Sequence, residues 1–118
     1  MTPYELECRD RGEHGVVIAD ISGELDLTNA RELEERLAEV APGGLRLVLD
    51  LNRVIFVDSA ALHALFRTAE RLGSGRFGVA LGPGAALMRT LTIVGLADTI
   101  PVRASAEQVV AALVSPAG

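Results

Sequence analysis

Lysine and tryptophan are missing altogether from this chain of 118 residues, and cysteine occurs once, as Cys8. A lone cysteine excludes an internal disulfide. With only His14 and His63 as imidazoles, a zinc site would have to be built mostly from carboxylates, so no metal is expected. Aromatic residues make up 3% of the chain and the formal net charge is -5. Both argue against nucleic acid, which needs positive charge for its phosphates and flat rings for its bases. All the basic residues are arginines, and they are scattered along the chain rather than gathered in a patch. No run approaches the roughly 18 unbroken apolar residues of a membrane span, and the opening "MTPYELECRD" has no apolar centre of the kind a signal peptide carries. The expectation is a cytoplasmic protein without membrane insertion. Repeats, linkers and low-complexity stretches are also lacking, and no motif calls for a cofactor. A hydrophobic fraction of 49% then predicts one globular domain over residues 1–118.

What is present is a regular alternation of two periods. Tyr4, Leu6 and Cys8 alternate with Glu5, Glu7 and Arg9, which predicts an edge strand with one wet face. Its charged residues discourage edge-to-edge pairing, consistent with a monomer. The nearly continuous apolar run "VVIADIS", residues 16–22, predicts a strand covered on both faces. Ala30, Leu33, Leu37 and Val40 are spaced three and four apart, as on an amphipathic helix. Asn29 with Glu32 three places on reads as its capping box, and Pro42-Gly43-Gly44 as its end. "LRLVLDL", residues 45–51, is the next strand, closed by Asn52 and Arg53 before a short apolar "VIFV". A second helix carries Leu62, Leu65, Phe66, Ala69 and Leu72 on one face. "RFGVAL" is a strand, and a third helix presents Leu87, Leu91 and Val94, with Gly95 as its left-handed cap. After "TIPV", Ser105 and Gln108 have capping-box spacing for a last helix facing inward through Val109, Val110 and Leu113. This order predicts an α/β fold: a mixed open sheet of four to five strands with about four helices against it.

Most motif-like spacings fail on context. Gly73-Ser74-Gly75-Arg76-Phe77-Gly78 has the GxGxxG form but leads from a helix into a strand, whereas phosphate binding requires the reverse order. The "GPGAAL" turn lacks the lysine of a P-loop. The stretch "IFVDSAALHALF", residues 55–66, places Ser59 at a strand-to-helix corner, like the nucleophile of an esterase, with His63 one turn on. The flanking glycines of such an elbow are replaced by Val57 and Ala61, and a third partner for His63 is not evident. A plainer reading makes Asp58 and Ser59 caps for the free NH groups of the helix.

Two short motifs give those residues a further meaning. "SGELDL", residues 22–27, is similar to the G-E-[LIV]-D signature of STAS domains, and "VDSAAL", residues 57–62, to their D-S-[ST]-G-L signature. The spacing between the two matches, and "LMRTLTIVGLADTIPV" resembles the third helix of the family. The chain therefore resembles a STAS-like fold, specifically the bacterial anti-sigma factor antagonists. The resemblance implies a binding module with no catalysis of its own. Its partner would be an anti-sigma factor with serine kinase activity, bound by the unphosphorylated antagonist so that a sigma factor is released; a phosphatase would be a further partner. It makes Ser59 the phosphorylation site and implies partner binding by Gly23, Glu24, Asp26, Asp58, Ala60, Ala61 and Leu62. Ala60 and Ala61 depart from the pattern, replacing a second hydroxyl and a glycine. The alternative within the family is an accessory subunit of a membrane transport or signalling complex, in which Ser59 is only a helix cap.

Overall fold

A computed structural model describes residues 2–114. The alternating opening segment is β1 (Tyr4–Arg11), and it forms an antiparallel hairpin with β2 (Val16–Leu25). Then follow α1 (Ala30–Val40), β3 (Arg46–Val57), α2 (Ser59–Leu72), β4 (Phe77–Ala80), α3 (Ala86–Ile93), the short α4 (Leu96–Thr99), β5 (Val102–Arg103) and α5 (Ala106–Val114). The sheet order is β1-β2-β3-β4-β5, with every pair after the first parallel. This is the expected mixed open sheet with its edge strand first; α4 is an extra turn between α3 and β5.

Alternation along the central strands divides the core. Leu47, Leu49 and Leu51 of β3 join Val17, Ala19 and Ile21 of β2 in a large cluster covered by Leu33 and Leu37 of α1, Leu62 and Leu65 of α2, and Leu91 of α3. Val48 points the other way, into a smaller cluster where Ala106, Val109 and Leu113 of α5 meet Val16 and Ala80. Gly78, the last glycine of the rejected GxGxxG, lies beneath α5: a β-carbon there would come within 2.5 Å of Val109 Cγ1. The absent side chain lets helix and sheet meet.

Three local expectations need correction. Strand β3 does not close at Asn52-Arg53 but continues to Val57, because β2 stays paired beside it through two bulges, with Ser22 opposite Arg53 and Glu24 opposite Phe56. Asn52 is used instead of being a breaker: its side chain donates to Asp50 Oδ1 (2.9 Å) and the Ala104 carbonyl (3.2 Å) and accepts from Gly82 N (2.8 Å). The capping box of α1 is absent, since Asn29 makes no side-chain cap and Glu32 accepts the Tyr4 hydroxyl at 2.7 Å. Finally, Val94 of the predicted apolar face is 40% exposed. Gly95 is left-handed (φ 85°) as expected, and at the last helix Ser105 and Gln108 exchange the reciprocal bonds of a capping box.

Candidate functional site

The parallel strands β2 and β3 both end at one edge of the sheet, and that edge brings the two sequence motifs together. Asp58 is the N-cap of α2 in extended conformation. Its Oδ1 accepts from Ala61 N at 3.0 Å, and its Oδ2 accepts from Leu27 N, in the loop after β2, at 2.9 Å. Its own NH donates to the Leu25 carbonyl at 3.1 Å. One carboxylate thus ties the start of the helix to the loop carrying the first motif, and both its oxygens are occupied.

Ser59 is the first residue of α2 and is exposed. Among the described residues its hydroxyl has no hydrogen-bond partner. The capping role that sequence left open between Asp58 and Ser59 falls to Asp58 alone, and the serine oxygen is free for other chemistry.

Asp26 lies in the same loop. Its Oδ1 accepts from Thr28 N (2.9 Å) and Thr28 Oγ1 (2.6 Å), and its Oδ2 accepts from the Thr2 hydroxyl. The Thr2 and Thr28 hydroxyls, in that order, lower its pKa below the usual 3.8 by bonding to the charged form. It stands at the corner as a carboxylate. Beneath it the buried Asn29 organises the loop: its amide donates to the carbonyls of Thr2 (3.0 Å) and Glu24 (2.8 Å) and accepts from Asp26 N (3.0 Å). These bonds are why Asn29 does not cap α1.

The remaining predicted binding residues divide by depth. Glu24 and Ala60 are half-buried at the corner. Gly23 is left-handed (φ 99°) and passes so close under the N-terminal segment that a β-carbon would sit 2.7 Å from the Pro3 carbonyl oxygen. Ala61 and Leu62 face the core, at 0% and 7% exposure. They support the corner from below instead of offering surface. The methyl of Ala61, expected from sequence to meet a partner, fills the core.

Sequence reading missed the exposed apolar residues at this end of the sheet. Leu27 is 77% exposed and Ile55 78%, with Phe56 half-exposed beside it. Ile55 and Phe56 were legible as part of an apolar run, but such a run ordinarily signals burial. They are exposed because β3 outruns β4, whose pairing stops at Asp50 opposite Ala80. An open groove of about 610 Å³ lies between α1 and α2, bordered by Leu27, Ala60, His63 and Arg67. His63 is exposed and its imidazole makes no hydrogen bond among the described residues. No carboxylate orients it toward Ser59, as an esterase would need. Among the described residues no cluster of His, Cys, Asp and Glu could hold a metal ion, and no helix is long and apolar enough to cross a membrane.

Comparison with known proteins agrees with this geometry. Residues 8–109 match the model of the STAS domain family. A crystal structure of an anti-sigma factor antagonist from Mycobacterium paratuberculosis is 30% identical, covers 94% of each chain and superposes with a TM-score of 0.78. The phosphorylated form of the Bacillus cell fate determinant SpoIIAA is 17% identical, covering 91% of this chain and 96% of its own, with a TM-score of 0.59; at that identity it speaks for the fold alone. Over 59 residues the chain is 39% identical to BtrV of Bordetella bronchiseptica, provisionally named an anti-sigma factor antagonist. The chain spans about half the length of that curated relative, the match covering 49% of this chain and 51% of BtrV.

Proposed function

Given that this chain belongs to the STAS domain family, we propose that it is an anti-sigma factor antagonist switched by phosphorylation of Ser59. The observation that carries the proposal is the exposed, uncommitted hydroxyl of Ser59 beside a carboxylate that has taken over the capping of α2. A kinase reaches such an oxygen without opening the helix. In the transfer the Oγ–P bond forms as the P–O bond to the β-phosphate of ATP breaks; ADP leaves and the hydroxyl proton passes to a base of the kinase. The partner is an anti-sigma factor with serine kinase activity, and a phosphatase reverses the modification. This chain supplies the acceptor and no catalytic group.

The unmodified corner offers a neutral hydroxyl at the end of the sheet where Leu27, Ile55 and Phe56 are also exposed, with the carboxylate of Asp26 in the adjoining loop. A phosphate brings about -1.5 to -2 charges into that surface. Burying it against a partner meets desolvation and repulsion from Asp26 and Asp58. A loss of about 3 kcal/mol lowers affinity more than a hundredfold, which suffices for release.

The test is incubation with the cognate anti-sigma factor and ATP, followed by peptide mass spectrometry and a binding titration. One phosphate on Ser59 is expected. Ser59→Ala should stay unlabelled and bound, and Ser59→Asp should bind at least tenfold more weakly. Undiminished binding by Ser59→Asp would overturn the switch in favour of a constitutive accessory subunit.

A further inference from the structure

Resting on phosphorylation of Ser59, we propose that His63 is the counter-ion of the phosphoserine, so that the switch is graded by pH. The two residues are exposed and four apart on α2, a spacing that puts their β-carbons about 5–6 Å apart. Helical side chains lean toward the N-terminus, so an imidazole at this position can reach the turn that begins with Ser59.

The neighbours leave that imidazole available. Across the groove α1 presents Arg31, Glu34 and Glu35, and α2 itself presents Arg67. Glu34 accepts from Arg67 at 2.8 Å, and Glu35 pairs with Arg31 at 3.8 Å. Asp58 has both oxygens on backbone NH groups. No described carboxylate is bonded to His63, and the arginine of its own helix bordering the groove at the next turn is already paired. Arg71, further along α2, is held by the carbonyls of Ala41 and Leu37, so a phosphate on Ser59 has the unbonded imidazole of His63 one turn along its own helix.

Histidine side chains change charge between about pH 5 and 8, and the second ionisation of a phosphoserine falls near pH 6. The two titrations overlap, and each charged form favours the other. A protonated imidazole beside the phosphate favours its doubly charged form, and below about pH 6 the phosphate loses its second charge. The charge that repels the partner shrinks accordingly. The phosphorylated form should release its partner fully at about pH 7.5 and less completely at about pH 6.

Phosphoserine inserted co-translationally at position 59 makes the test independent of any kinase. A ³¹P NMR titration at low salt should give a midpoint about 0.3 pH unit lower with His63 present than in His63→Ala. The difference should shrink at about 1 M salt, and His63→Arg should keep the low midpoint. Coincident midpoints for the parent and His63→Ala would overturn the proposal. Because His63 is exposed, far-UV circular dichroism should be unchanged in each variant, and His63→Gln repeats the measurement with a polar side chain. Failure of a kinase to label Ser59 would sink the proposed function while leaving the ³¹P result readable, so the two failures are distinct.

Discussion

Asp58 and Ser59 are adjacent, similar in size and both suited to a helix start, yet the fold assigns them opposite duties. Asp58 accepts two backbone NH groups from two different segments; the Ser59 hydroxyl bonds to nothing among the described residues. Each such bond contributes about 1 kcal/mol. Asp58→Ala should therefore lower the unfolding free energy by about 2 kcal/mol, and Ser59→Ala should change it by less than about 0.5 kcal/mol, both read from urea unfolding at neutral pH. Equal losses would mean that the serine shares the cap. Asp26 makes a second residue-scale prediction. Its folded pKa is lowered, chiefly by the Thr2 hydroxyl, so its contribution is present above the unfolded value near 3.8 and is lost as pH falls through the folded one. In Thr2→Val the stability difference from the parent should be present at pH 7 and narrow below about pH 4, as followed by acid titration of the unfolding midpoint. The motifs pointed to these residues as a group. That Asp58 also ties down the loop after β2, and that Asn29 serves the loop instead of α1, depended on distant atoms, Leu27 N for Asp58 and the Thr2 carbonyl for Asn29.

Among the elements, α1 has no basic residue in its last turn, and two carbonyls at its end are bonded from the neighbouring helix. Arg71 of α2 donates to the carbonyl oxygens of Ala41 (2.8 Å) and Leu37 (3.4 Å). A cation at a helix C-terminus also opposes the helix dipole. Arg71→Ala should cost about 1 kcal/mol, while Arg71→Lys, which keeps the charge, should cost less; denaturant midpoints compare them. The helices themselves were readable because three-and-four spacing of Leu and Ala needs no tertiary partner to be recognised. Strand β3 was readable only to Leu51. Beyond it, alternation is broken by the bulges facing β2, and Asn52 looks like a loop residue until its bonds to Asp50, Ala104 and Gly82 are seen.

For the whole molecule, the arrangement separates the core from the corner proposed for switching. The core lies between the sheet and its helices, whereas Ser59 sits at the outer edge where β2 and β3 end, beyond the last pairing with β4. A phosphate there is at a helix N-terminus, where negative charge is tolerated. The phosphorylated protein should keep the circular dichroism of the unmodified one and unfold within about 1 kcal/mol of it; loss of cooperative unfolding would contradict the separation. By itself the sequence determined the element order apart from α4, the open mixed sheet, the terminal capping box at Ser105 and the two motifs, because hydrophobic period and short-range capping are written in neighbouring residues. Only the tertiary structure decided that Ser59 is free, that Ala61 and Leu62 are buried supports, and that Leu27, Ile55 and Phe56 are surface. Exposure and hydrogen-bond occupancy depend on which distant segments arrive at a position, and here they were set by where β4 stops and by a carboxylate reaching across to a loop 31 residues earlier.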